Sequence, residues 1–371
     1  MKVLALEPYH GGSHKAFLDG WSAHSRHAFT VLGLPPFKWK WRMRHAPITF
    51  ADQAAERVAA GEEWDALFCS DMLNLPEFLG LAPEPLHGLP AVAYFHENQL
   101  TYPFRHEDER DYQYCFSNMA TALAATEVWF NSAFHRDEFL GAIPDFLRRM
   151  PDHQPWDIAD RIRHKSAIRP PGIAEPPTRG ERKPGPIRIL WAARWEFDKD
   201  PDTFFEALRL LERRGVDFRL SVIGERFRDA PPVFAEAERE LADRVDRWGY
   251  QESRQAYEAA LAEADVIVST ARHEFFGISI VEAVAAGCYP LVPRRLAYPE
   301  VLGALEEDGS GPHFYDGGAE ELADVLALLA ARVEQDELWQ GDPGRGIRAA
   351  SRYFWPALAS SLDDALDNLR R

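Results

Sequence analysis

Short apolar runs alternate with longer polar or amphipathic segments along most of this chain, and that rhythm leaves few folds open to it. The runs are Val3 to Leu6, Phe29 to Leu34, Ala66 to Cys69, Ala91 to Phe95 and Glu127 to Asn131. Each is strand-length, and strands spaced by helix-length segments build a parallel α/β sheet. After Ile173 comes Ala174-Glu175-Pro176-Pro177-Thr178-Arg179-Gly180-Glu181-Arg182-Lys183-Pro184-Gly185-Pro186, too rich in Pro, Gly and charge for a core element. The alternation then restarts. Ile187 to Ala193, a helix from about Pro201 to Arg214, Phe218 to Gly224, a helix from about Pro232 to Arg247, and Val266 to Ser269 predict a second doubly wound domain. The expected division is a domain over 1–175, a linker at 176–186, a domain over 187–350, and a last amphipathic helix over 351–371 that can pack back on the first domain.

A length of 371 residues agrees with two domains. No window approaches the run of about 20 apolar residues that spans a bilayer. Met1 to Pro8 reads as a buried strand rather than a signal peptide, so a cytoplasmic location and no membrane partner are expected. Cys69, Cys115 and Cys288 are isolated and odd in number, and read as small core residues. A net charge of −17 argues against broad nonspecific binding to nucleic acid, and the acidic excess is larger in the second half. Any polyanion-contacting surface is therefore expected in the N-terminal half.

The most informative C-terminal stretch is His273-Glu274-Phe275-Phe276-Gly277-Ile278-Ser279-Ile280-Val281-Glu282. A strand ending near Thr270 runs into a helix beginning near Gly277, and ligands gather at such turns. Free N–H groups and the dipole at the start of that helix suit a diphosphate, and Gly277 lets the backbone come close. Carboxylates accept hydrogen bonds from vicinal diols, so one of Glu274 and Glu282 can hold a ribose and the other a hexose. The bland alternative is two solvated helix glutamates, for which the glycine and the apolar context are superfluous. The segment resembles the E-x7-E motif of retaining GT-B glycosyltransferases of the GT4 kind. That resemblance implies that Glu274 contacts the donor sugar and Glu282 the ribose, beside donor contacts from Phe276, Gly277 and Ile278.

Upstream, Trp191-Ala192-Ala193-Arg194-Trp195-Glu196-Phe197-Asp198-Lys199-Asp200-Pro201 resembles the strand-end element of the same superfamily. It implies that Arg194 and Lys199 bind the diphosphate. The chemistry agrees, because charge builds on the leaving phosphate as the glycosidic bond breaks, and fixed cations stabilise that state most. Gly224 and Glu225, after the strand Leu220 to Ile223, occupy the place of a loop beside the nucleotide, or are simply a turn.

In the N-terminal half, Gly11-Gly12-Ser13-His14-Lys15 follows the first strand, where a glycine loop or a plain turn fits. Gly12 is a candidate donor contact and His14 a candidate acceptor contact. Tyr94-Phe95-His96-Glu97-Asn98-Gln99-Leu100-Thr101-Tyr102-Pro103 ends a strand in hydrogen-bonding side chains, which suggests a sugar or acceptor site at His96, Glu97, Asn98 and Gln99. His96 beside Glu97 also has the look of a metal pair, but no further ligands are evident and no metal is expected. Lys38-Trp39-Lys40-Trp41-Arg42-Met43-Arg44-His45 has four basic residues, two tryptophans and no acid. Indole and guanidinium planes stack on unpaired bases while cations meet phosphates, which suits single-stranded RNA. An edge segment with cations laid over an aromatic stripe explains the same residues. Arg148, Arg149, Arg161, Arg163, His164 and Lys165 either extend this patch or are solvated helix faces.

Together these segments, with Glu109-Arg110-Asp111 and Gly287-Cys288-Tyr289-Pro290, resemble the tRNA-queuosine mannosyltransferases over nearly the whole chain. The resemblance implies a GT-B fold, two Rossmann-like doubly wound domains facing a central cleft. It further implies transfer of mannose from GDP-mannose to a cyclopentene hydroxyl of queuosine in a tRNA anticodon. In many GT4 enzymes a histidine at the place of His96 touches the donor hexose, so His96 joins Arg194, Lys199 and Glu274 as a catalytic candidate. Acceptor contacts are then His14, Lys38, Trp39, Lys40, Trp41, Arg42, Glu97, Asn98 and Gln99. No cofactor beyond the donor and no protein partner is inferred. Two rivals stay open: a GT4 enzyme using a GDP- or UDP-sugar on another soluble, lipid or glycan acceptor, and a non-catalytic RNA-binding protein on a GT-B scaffold.

Overall fold

The computed structural model describes residues 1–104, 110–177, 179–305 and 311–369. Two compact units emerge, Met1–Gly172 with Trp355–Arg371, and Ile173–Phe354. Glu109 and Thr178 lie outside the described residues.

The first unit carries one parallel sheet of β1 (Lys2–Glu7), β2 (Ala28–Gly33), β3 (Ala66–Ser70), β4 (Ala91–Phe95), β5 (Glu127–Phe130) and β6 (Ser166–Ile168), in the order β2-β1-β3-β4-β5-β6. Strand β1 is apolar without alternation because both faces are covered. Val3 and Ala5 point into a core with Phe17, Trp21 and Trp355, whereas Leu4 and Leu6 point into another with Phe50, Leu73 and Phe78. The chain's last helix, Trp355–Asn368, closes the first of these cores. Trp355 occupies a slot that only glycine leaves open: a Cβ on Gly20 would lie 2.1 Å from its ring and one on Gly172 2.4 Å. Asp363, buried on the same helix, accepts from Trp21 Nε1, Ser25 Oγ and the Arg26 backbone at 2.6–2.8 Å.

The second unit carries β7 (Ile187–Ala192), β8 (Phe218–Ile223), β9 (Val245–Gly249), β10 (Val266–Val268), β11 (Tyr289–Pro293) and β12 (Phe314–Tyr315), in the order β12-β11-β10-β7-β8-β9. All pairs are parallel. This is the doubly wound order whose direction of winding reverses between β7 and β10, and the carboxyl ends of those two strands form a crevice. The helix expected to run to Arg247 stops at Glu240, and Val245–Gly249 is the edge strand β9. Its half-exposed, charged residues, such as Asp246 paired with Arg219, hide the strand pattern. The segment 176–186 is docked rather than loose. Arg182 grips the buried Asp265 with two hydrogen bonds of 2.8 and 2.9 Å.

Trp355→Ala should cost about 3–5 kcal/mol by opening a cavity between Gly20 and Gly172. Urea unfolding followed by tryptophan fluorescence checks this; a loss under about 1 kcal/mol would mean the last helix is not part of the first core.

Candidate active site

In the second unit the crevice between β7 and β10 is built around one ammonium group. Lys199 is buried, and its Nζ donates to the His273 carbonyl at 2.8 Å and to Glu274 Oε2 at 3.4 Å, with Asp198 Oδ2 at 3.2 Å. Burial alone would push the lysine down, but Glu274 and Asp198 outweigh it and hold the pKa above the ordinary value. Glu274 feels the reverse. Burial would raise it, yet Lys199, His273 and the Phe276 amide keep the carboxylate below its usual range. Both groups are therefore charged at neutral pH.

Local backbone explains why the sequence places them so. Asp200 takes a left-handed φ of 50°, Pro201 starts the next helix, and Asp200 receives a two-pronged bond from Arg272 at 2.9 Å. That corner turns Lys199 inward. Gly277, at φ 88°, caps the helix Ile278–Ala285, and a Cβ there would meet the Tyr298 ring at 2.9 Å. Tyr298 is itself fixed by a 2.6 Å bond between its hydroxyl and Ser269 Oγ. Ser279 Oγ donates to the Ala192 carbonyl at 2.8 Å, tying the helix start to the end of β7. Ala193, Lys199, Ser269, Glu274, Ser279 and Tyr298 line the resulting hollow.

Arg194 stands at its edge, about two-fifths exposed, with Glu196 Oε2 at 3.3 Å. The adjacent Trp195 is stacked on Phe234 at 4.3 Å, which anchors the strand-end loop. Glu282 lines a separate hollow with Arg254, Glu258 and Pro177. It accepts from Tyr257 Oη at 2.7 Å and Arg254 Nη1 at 2.9 Å, two side chains the sequence did not single out. Their signal is weak, a Ser253 cap and a helix of ordinary composition. The expected donor contacts sort unevenly. Phe276 buries its ring against Tyr353, so only its backbone is available to a ligand, and Ile278 is half-buried at the helix start. Gly224 has a packing reason of its own, since a Cβ would fall 1.8 Å from the Ala193 carbonyl. Glu225 is exposed, and its carbonyl accepts from Trp195 N at 2.9 Å.

In the first unit, polar groups collect where β1, β3 and β4 end, again at a reversal of strand order. Glu7, fully buried at the end of β1, accepts from Ser70 Oγ at 3.0 Å and the Tyr9 amide at 2.9 Å, and faces His14 Nδ1 at 3.2 Å. His14 is thus turned inward, not outward to an acceptor as expected. Burial pulls its pKa down, but the Glu7 carboxylate, helped by Asp71 and Glu97, raises it to about 9. His96 stacks on it with ring centroids 4.0 Å apart, and burial plus the neighbouring His14 and His135 drive His96 well below the ordinary value. Its backbone N–H donates to Asp71 Oδ1 at 2.9 Å. Asp71, buried between these groups, is raised to about 8. Ligand-type atoms of Glu7, His14 and His96 lie within 4.8 Å of one another, a grouping that sequence reading missed. The direct His14–Glu7 contact makes it an ion pair.

The His96 loop is scaffolded from inside. Asn98 is fully buried and accepts from the Leu100 and Thr101 amides at 3.0 and 2.9 Å, which corrects its expected role at the acceptor. Gln99 is buried too, held by Asn118 through its amide, with its side chain 3.4 Å from Glu97. Arg110 clamps the loop through the carbonyls of Gln99, Leu100 and Tyr102. Gly12 opens the helix Gly12–His24 at φ 52° with open space around its Cα.

The basic stretch also divides. Lys38, left-handed at φ 55°, caps the helix Trp39–Ala59. Arg42 is buried against Phe37 and the Pro35 carbonyl, a structural position rather than an acceptor contact. Trp39 packs on Tyr114, whereas Trp41 is exposed and Lys40 lies over the Trp39 ring. Arg148, Arg161 and Arg163 pair with Asp145, Asp157 and Asp137. Lys165 is spent on the Leu123 and Ala125 carbonyls, whereas the three arginines lie on solvated, ion-paired faces.

Residues 176–338 match the family model described as glycosyl transferases group 1. The fold agrees with sucrose-phosphate synthase from Thermosynechococcus elongatus, at TM-score 0.72 and 15% identity over 100% of this chain and 99% of that one. It agrees as well with Anabaena HepE, whose structure holds UDP and glucose, at TM-score 0.65 and 14% identity over 99% of both chains. The molecule is a glycosyltransferase of GT-B fold. Residues 2–173 match the model described as tRNA-queuosine alpha-mannosyltransferase N-terminal. The Drosophila melanogaster tRNA-queuosine alpha-mannosyltransferase is 35% identical over 311 residues, 81% of each chain, and this chain belongs to that family. A GDP-mannose-dependent alpha-(1-6)-phosphatidylinositol dimannoside mannosyltransferase of Mycobacterium tuberculosis is 27% identical over 312 residues, 80% of this chain and 72% of that one. No helix among the described residues is long and apolar enough to cross a membrane.

The His14 pair predicts a pH dependence. A histidine raised from 6.5 to about 9 contributes stability that is complete below 6.5 and lost as pH rises through 9. Unfolding free energy should fall between pH 6.5 and 9.5, and fall less in His14→Asn; equal slopes in urea melts would refute the ion pair. Asp71, raised to about 8 by burial although the His14 charge pulls it down, loses stability in the same direction as pH rises toward 8.

Proposed function

We propose that this chain transfers mannose from GDP-mannose to a cyclopentene hydroxyl of queuosine in the anticodon of a tRNA. The observation that carries the donor half is the pairing of buried Lys199 with half-buried Glu274 at the β7/β10 crevice, with Arg194 at its rim. A fixed ammonium and a guanidinium suit the charge on a departing diphosphate, and they need no metal for that task. Glu274 is poised to accept from the hexose hydroxyls, and Glu282, steadied by Tyr257 and Arg254, from the ribose. The Mycobacterium relative, which is named for its dependence on GDP-mannose, supports the choice of nucleotide and sugar. The Drosophila relative and the match over residues 2–173 support the acceptor.

In this reading the acceptor hydroxyl oxygen bonds to mannose C1 on the face that the phosphate leaves. The C1–O bond to the β-phosphate breaks, and the hydroxyl proton passes to the departing phosphate oxygen. Arg194 and Lys199 hold the charge that develops there. His96, kept neutral, contributes a hydrogen bond to the sugar rather than a charge. Lys38, Lys40 and Trp41 meet the RNA.

Incubating the protein with GDP-mannose and tRNAs with or without queuosine, then weighing the nucleosides, tests the reading. A hexose-sized gain only on queuosine is expected, and no gain on any tRNA would sink the acceptor assignment. Arg194→Ala and Glu282→Ala should each lower kcat/KM by about 100-fold or more with little change in melting temperature. Lys199→Ala is a poorer test, because it strands Asp198 and Glu274 and should cost roughly 3–5 kcal/mol of stability as well.

A further inference from the structure

The basic segment at Lys38–Arg44 does not stand by itself on the first unit. Arg44 lies with its guanidinium 5.4 Å from the Tyr114 ring centre and donates to the Gln113 side chain, which joins it to the start of the helix Tyr112–Ala124. On that helix Tyr112 and Phe116, one turn apart, are each 40% exposed. Both rings are braced edge-to-face on the buried Phe146, at 5.3 and 5.0 Å. Arg149 lies 5.8 Å from the Tyr112 ring centre and donates to its hydroxyl at 3.1 Å. Trp41, 62% exposed, stands on the helix Trp39–Ala59 that also carries Arg44.

Two large rings held in fixed orientation at the surface, next to cations and in a chain of net charge −17, call for an occupant that is both flat and anionic. Unpaired nucleotides meet both demands: a base offers a π face and its phosphate a charge. We infer that Tyr112 and Phe116 form a second stacking platform for unpaired bases of the RNA acceptor, beside the platform at Lys40, Trp41 and Arg44. The inference rests on the proposed RNA acceptor and adds the residues that grip nucleotides flanking the modified one.

The test measures binding of a fluorescein-labelled anticodon stem-loop, with and without queuosine, to the full chain in the absence of donor. Replacing both rings (Tyr112→Ala with Phe116→Ala) should weaken binding by roughly 5-fold or more, the scale of losing a base–aromatic stack. The pair Tyr112→Leu with Phe116→Leu keeps apolar bulk against Phe146 but has no π face, and should weaken binding as the alanine pair does, which separates stacking from mere packing. Should the double alanine protein lose its far-UV dichroism, Tyr112→Ser by itself serves, with the same expected direction. Wild-type binding with unchanged affinity in the alanine protein overturns the platform and leaves the RNA acceptor standing; a protein partner would then be the occupant of this face. A wild-type protein that binds neither stem-loop overturns both.

Discussion

An ammonium group out of water needs carboxylates around it, and most of the second unit is arranged to supply them to Lys199. Asp198 comes from the same turn and Glu274 from the far side of the crevice, so the pair forms only when β7 and β10 lie side by side. Parting two such charges from water is expensive, and the cost is recovered only with near-ideal geometry. That requirement accounts for the strained Asp200, the positive φ of Gly277 and the buried Tyr298 hydroxyl. Each fixes one wall of a hollow whose centre is charged, the setting in which a phosphate's growing charge is best met.

The first unit repeats the device with different chemistry. Its buried pair is His14 with Glu7, and the consequence is felt next door, where His96 stays neutral and its Nε2 is buried with no hydrogen-bond partner among the described residues. One residue's charge thus sets its neighbour's protonation. The loop that carries His96 owes its shape to Asn98, Asn118 and Arg110, which satisfy its backbone from within. Polar residues that looked available for a ligand are the ones building the platform on which the remaining few are presented.

Much of this architecture was legible in the residues. Strand runs such as Ala91–Phe95 stand where the apolar pattern put them, because a strand covered on both faces has to be apolar throughout. The charged edge strand of the second sheet was not legible. Val245–Gly249 pairs on one side only, keeps its charges in water, and reads as helix. Of the candidate site, Arg194, Lys199, Glu274 and Glu282 stood out because the motifs that hold them, at a strand end and a helix start, resemble those of a known superfamily. Glu7, Asp71, Arg254 and Tyr257 could not, since nothing in their neighbours along the chain says what they face.

The sequence by itself determined the two parallel α/β units, since burial periodicity and turn chemistry are local properties of a chain, and its motifs carried the resemblance to glycosyltransferases. The tertiary structure decided which polar side chains are spent on scaffolding, as Arg42, His14 and Asn98 are, and which, as Trp41 and Arg194 are, reach solvent. It also decided the charge states of His14, His96 and Lys199. Protonation depends on burial and on the charges within a few ångströms, and those neighbours come from strands and helices far apart in sequence.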